Sequence, residues 1–228
     1  MSGVNTLSTG DGGTSGYHLD NFQVEQVDTL AVDSKGSNPG TYVSGPTLAV
    51  AGAITGDSNT AVQFDGVSDY GSVARQISDD FSIEFWFKST QGIGTGITWW
   101  QGAGLVDADG RTSNDYGVSL RSDGRVVTGV GNPDTSIVSS SGGYSNGAWH
   151  QVVFTRTKST GALQLYIDDA SAGSATATNT SSLTSPANIS FGRIQTGTNY
   201  FTGYLDEVAV YNTVLSAETV TSHDSANQ

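Results

Sequence analysis

The residues best suited to chemistry lie between Ile97 and Arg156. Carboxylates stand at the ends of short apolar runs: Asp107 and Asp109 in GAGLVDADG, Asp115 in NDYGVSL and Asp134 in GNPDTSIVS. Hard cations collect such oxygens, from carboxylates, backbone carbonyls and water. The competing reading is that these residues brace Asx turns, a strong alternative in a chain with 18 Asp. Trp99 and Trp100 are adjacent. On a strand they would point to opposite faces, so that one is core while the other is free to stack on a sugar ring. Here the alternative is that both pack inside, and Trp149 is expected in the core. His18, His150 and His223 are far apart and lack metal-ligand spacing, so His150 reads as a satisfied structural histidine.

The elements that must position these residues are strands. FSIEFWFK (Phe81 to Lys88) alternates cleanly, with Phe81, Ile83, Phe85 and Phe87 on a core face and Ser82, Glu84, Trp86 and Lys88 opposite. AVQFDG, DYGSVAR, ITWWQ, GLVDA, YGVSL, RVVTGV, TSIVSS, WHQVVFTR, ALQLYIDD, ISFGRI and FTGYLDEVAVYN read as further strands. SDG (Ser122 to Gly124) and KSTG (Lys158 to Gly161) read as hairpin turns. Residues 170–187 are Ser/Thr/Ala-rich and are expected to form a polar loop or edge segment. Leu215 to Asp224 is the one credible helix, capped by Ser216 with Glu218 in its first turn. The fold class expected is all-β, a two-sheet antiparallel sandwich with one short C-terminal helix. Residues 1–16, rich in Gly, Ser and Thr, read as a flexible or assembly arm, and residues 17–228 as a single domain.

Composition narrows the partners. The 228 residues carry 22 Asp+Glu against 9 Lys+Arg, a net charge of −13. Phosphate binding needs clustered Lys and Arg, which argues against nucleic acid. No apolar run approaches the ~18 residues of a membrane helix, so membrane insertion is not expected. Cysteine is absent, so no disulfide staples the fold. The N-terminus lacks the basic and apolar regions of a signal peptide. Asp-rich, Lys-poor surfaces are also a halophilic trait.

The motifs, taken in order, resemble the LamG-like (laminin G/pentraxin-like) branch of the concanavalin A-like jelly rolls. GAGLVDA, NDYGVSL, GNPDTSIVS, NGAWHQVVFTR, LQLYIDD, ISFGRI and YFTGYLDEVAVYN followed by LSAETV carry the resemblance, which covers roughly residues 17–222. It implies two curved antiparallel sheets packed face to face. It also implies a calcium site, with Asp134 and the backbone carbonyl of Gln151 as ligands, Asn132 beside the first, and Asp107, Asp109 and Asp115 as further donors. Glucanases of this class carry Glu-x-Asp-x-Glu on one strand, pairing a nucleophile with an acid/base. This chain has no such run. Its four Glu are Glu25, Glu84, Glu207 and Glu218, and Asp206 and Glu207 are adjacent, so their side chains diverge. An enzyme is therefore not expected.

The function expected is a non-enzymatic structural or adhesive module of an extracellular particle, a virion's capsid decoration or tail protein, assembled with neighbouring subunits. The alternative is a carbohydrate-binding module of a cell-surface adhesin, with Trp99 and Trp100 serving surface glycans. A glycoside hydrolase-like enzyme is third.

Overall fold

The computed structural model describes residues 30–33, 37–112, 114–131, 133–197 and 199–225. The proposed arm at 1–16 and the domain start at Tyr17 lie outside them. The described chain forms β1 (Leu30–Ala31), β2 (Gly40–Val43), β3 (Thr47–Ala51), β4 (Thr60–Asp65), β5 (Tyr70–Ala74), β6 (Phe81–Lys88), β7 (Ala103–Ala108) and β8 (Tyr116–Leu120). It continues through β9 (Val126–Val130), β10 (Thr135–Val138), β11 (Trp149–Thr157), β12 (Ala162–Ile167), β13 (Ala170–Thr176), β14 (Asn188–Phe191), β15 (Thr202–Tyr211) and α1 (Ala217–Ser225).

These strands make two antiparallel sheets. One has eight strands in the order β1-β2-β5-β14-β7-β8-β9-β10, the other seven in the order β13-β12-β11-β6-β15-β4-β3. This is the two-layer antiparallel sandwich that the alternation along the chain predicts, in the jelly-roll form that the resemblance implies. The core lies between the sheets. Phe81, Ile83, Phe85 and Phe87 are all fully buried on the predicted face of β6. Phe81 meets Tyr116 of the opposite sheet with ring centroids 4.9 Å apart. The hairpin turns fall where expected, with Gly124 and Gly161 at φ of 72° and 70°, a region closed to most side chains. Ser216 caps α1, its Oγ accepting from Thr219 N at 3.2 Å. No helix among the described residues is long and apolar enough to cross a membrane.

Two expectations are corrected. ITWWQ is not a strand. Residues 89–102 form an irregular connection from β6 to β7 that hugs the end of β8. Its glycines make that approach possible: a Cβ on Gly92 would fall 2.0 Å from the Arg121 carbonyl oxygen. Trp149 is not core. It is half-buried on the outer face of the seven-stranded sheet, edge-on to Tyr204 at 6.2 Å and beside the Lys88 ammonium. Residues 170–176, within the stretch expected to be a polar loop or edge segment, form the edge strand β13.

The feature that positions the site is a row of short residues. Ser72, Ser190, Asp107, Gly117, Gly129 and Ser136 stand in register across β5, β14, β7, β8, β9 and β10. Their chain neighbours Val118 and Val130 belong to the core, so the row points outward. It leaves a trough across the outer face of the eight-stranded sheet.

Candidate functional site

Trp99 sits in that trough. Its ring lies over the Gly117–Gly129 pair, where a Cβ would come within 2.7 Å of Cε3 and 2.8 Å of Cδ1 respectively. Its backbone N–H donates to Ser136 Oγ at 3.2 Å, which fixes the connection onto β10. The ring is buried, and its Nε1 has no hydrogen-bond partner among the described residues.

Above Trp99 opens a cleft of about 710 Å³, within the range of small-ligand sites. Four segments wall it. The first carries Trp99 and Trp100. The β7–β8 connection supplies Asp109, Arg111, Thr112 and Asp115. The β9–β10 turn supplies Pro133 and Asp134, and the β14–β15 connection supplies Ile194, Thr196, Gly197 and Asn199. Trp100 stands at the mouth, 39% exposed, with its Nε1 donating to Asp134 Oδ2 at 3.3 Å. The neighbouring tryptophans thus divide into one buried and one exposed, through a turn rather than the alternation of a strand.

The walls are braced by carboxylates. Asp115 Oδ2 accepts from Gly110 N at 3.1 Å and from Thr112 N at 2.9 Å. Asp109 Oδ1 accepts from Arg111 N at 2.8 Å, and its other oxygen accepts from the Thr196 hydroxyl. The Arg111 guanidinium donates to the Thr196 carbonyl, tying two walls together. Beneath them Asp107 is wholly buried. Its Oδ2 accepts from Asp109 N at 3.0 Å and from Gln195 N at 2.8 Å, while Oδ1 finds no partner among the described residues. Burial pushes its carboxyl up to about 8, against the pull of those two amides and with a further push from Asp109 and Asp115. Burial likewise raises Asp115.

Of the calcium ligands implied by resemblance, Asp109, Asp115 and Asp134 line the cleft, and Gln151 does not. Gln151 lies in the middle of the other sheet, and its carbonyl accepts from Asp168 N at 3.1 Å. Its side-chain amide donates to Glu84 Oε1 at 2.7 Å. Asp107 lies under the floor, and Asn132 is outside the described residues. Among the described residues, no three His, Cys, Asp or Glu side chains are grouped to hold a metal ion.

Two further groups are structural. His150 is held between Asp168 Oδ2 at 2.7 Å and Asn146 Oδ1 at 3.1 Å. Glu84, apparently alone on its strand in sequence, is buried on the outer face of the seven-stranded sheet. It accepts from Gln151, from the Tyr211 hydroxyl at 2.9 Å and from His223 Nδ1 at 2.9 Å. That cluster draws on four distant segments and left no local signal. The trough did leave one, in outward-facing glycines at matching places on YGVSL and VVTGV.

The family model described as the concanavalin A-like lectin/glucanases superfamily (Laminin_G_3) matches residues 56–221. No curated protein matches in sequence. Among solved structures, domain 4 of AbnA, a GH43 extracellular arabinanase from Geobacillus stearothermophilus solved with arabinotriose, superposes with a TM-score of 0.64 at 20% identity, covering 87% of this chain and 93% of that one. A structure of botulinum neurotoxin type C, whose cell entry depends on interaction with two ganglioside molecules, gives 0.61 at 13% identity, covering 84% of this chain and 47% of that one. The chain thus spans about half of the toxin structure. A SAP-like pentraxin from Limulus polyphemus gives 0.53 at 14% identity, covering 71% and 79%. At these identities the likeness is one of fold. With nearly three-quarters of its length matched by the family model, the chain belongs to the laminin G branch of the concanavalin A-like lectin/glucanase superfamily.

Proposed function

We propose that the protein is a non-catalytic glycan-binding module and that the cleft over Trp99 is its binding site. The observation that carries this reading is Trp100. A large indole stands partly exposed at the mouth of a cleft whose walls also carry Asp109, Arg111, Thr112, Asp115, Thr196 and Asn199, and it is anchored through Asp134 rather than buried. An aromatic face beside hydroxyl-matching acceptors suits a sugar ring, which presents C–H groups on one side and hydroxyls around its edge. The AbnA domain with arabinotriose and the toxin with gangliosides support sugar binding as a use of this fold. The cleft carboxylates read as braces rather than as an acid/base pair, because Asp109 and Asp115 each accept backbone amides of their own loop.

A glycan array probed with the protein tests the reading. Binding that is lost in Trp100→Ala supports it, and an array without a single binder overturns it. For the setting we propose an extracellular surface, a virion or a cell envelope, in keeping with the net charge of −13. Mass spectrometry of purified particles separates the two: presence in a particle supports the virion, and absence from every particle leaves the cell-surface adhesin.

A further inference from the structure

The ionisable residues lining the cleft are Asp109, Asp115, Asp134 and Arg111, three carboxylates against one guanidinium. Arg111 donates one N–H to the Thr196 carbonyl on the facing wall. Asp134 is different. Only its Oδ2 is engaged, by the Trp100 indole, and no described residue bonds its Oδ1. Trp99 lines the same cleft, and its Nε1–H is buried without an acceptor among the described residues. A buried donor without a partner is costly unless a ligand or water supplies one. The cleft therefore lacks one neutral acceptor at its floor and has one free carboxylate oxygen at its mouth.

We infer that the cleft selects saccharides by charge: it favours amine-bearing sugars, accepts uncharged ones and refuses those carrying carboxylates, such as uronic or sialic acids. This rests on the glycan-binding reading of the same cleft. A ring hydroxyl oxygen satisfies the Trp99 donor. An ammonium group donates to Asp134, and the two remaining carboxylates add to the attraction. A sugar carboxylate would meet three like charges against a single guanidinium, in a chain of net charge −13.

The test is an array that includes glucosamine oligomers, their N-acetylated counterparts, and sialylated and galacturonic acid oligomers, probed at low and at high salt. At 20 mM NaCl the amine-bearing oligomers are expected to bind about three- to tenfold tighter than their acetylated forms. At 500 mM NaCl the gap should close, because salt screens the interaction. Carboxylated oligomers should not bind at low salt. Asp134→Asn keeps an acceptor for Trp100 and removes the charge, and it should narrow the gap between the amine-bearing and the acetylated oligomers at low salt. Sialylated or uronic glycans among the strongest binders would overturn the inference and leave the glycan reading standing. So would amine and acetyl forms bound equally at low salt. An array without any binder removes both.

Discussion

The Trp99 ring rests directly on Gly117, so close that a methyl group there would lie 2.7 Å from Cε3 and 2.9 Å from Asp107 Oδ1. Gly117→Ala must therefore lift the indole or tilt β8. Overpacking of this kind costs about 1–3 kcal/mol. The expected result is a lower urea midpoint with an unchanged m-value, together with weaker glycan binding as the cleft floor rises. A variant as stable as the parent, with glycan affinity intact, would show that the ring does not sit there.

Trp100→Ala should separate binding from folding. The side chain is partly exposed and makes one long hydrogen bond, so stability should change by no more than about 0.5 kcal/mol. Glycan affinity should fall roughly tenfold, the size of a lost stacking contact. Equal losses in melting temperature and in affinity would instead assign Trp100 to the scaffold.

Asp107 sets a pH dependence. Its carboxyl is raised from 3.8 to about 8 by burial. Between those values the folded chain holds a proton that the unfolded chain has released, so stability falls as pH rises through that window and is flat below it. Asp115, Asp206 and Glu207, all raised by burial, add in the same direction. Urea midpoints at pH 5 and pH 8 should therefore differ, with the acidic value higher. Asp107→Asn should reduce the difference, and an unaltered slope in that variant would exclude Asp107 as its source.

Glu84 should matter out of proportion to its place on a surface-side strand face. Glu84→Ala leaves the donors of Gln151, Tyr211 and His223 without their acceptor, a loss of about 3 kcal/mol. Because His223 belongs to α1, amide hydrogen exchange should accelerate most across residues 217–225. Uniform acceleration over both sheets would mean that the residue holds the sandwich and not the helix.

Millimolar calcium separates family expectation from geometry. With the Gln151 carbonyl bonded within its sheet, added Ca²⁺ should neither release heat nor raise the melting temperature. A rise of several degrees would mean that Asp134 draws ligands from beyond the described residues, Asn132 among them.

The fold was legible because burial writes itself into period-two patterns. Phe81, Ile83, Phe85 and Phe87 announce a core face with no help from the rest of the chain. The cleft was legible only in its parts. Asp134, Trp99 and Trp100 stand out as types, but their meeting depends on a glycine-rich connection that breaks the expected strand at Ile97. Asp134 and Gln151, paired by resemblance, stand beside or on strands of different sheets, which the sequence alone does not reveal. Glu84 was hidden for a related reason: Gln151, Tyr211 and His223 reach it through strand order and helix docking, neither of which is a local property.

The strand order also bears on how the molecule comes into being. β14 and β15, from the last quarter of the chain, are inserted between earlier strands, β14 between β5 and β7 and β15 between β6 and β4. A nascent chain that has emerged only as far as Pro186 has both layers split down the middle. Core side chains that those two strands cover in the finished sandwich stay uncovered until the final segments arrive. The cleft is completed last, because Ile194, Thr196, Gly197 and Asn199, which wall it, lie between those same two late strands.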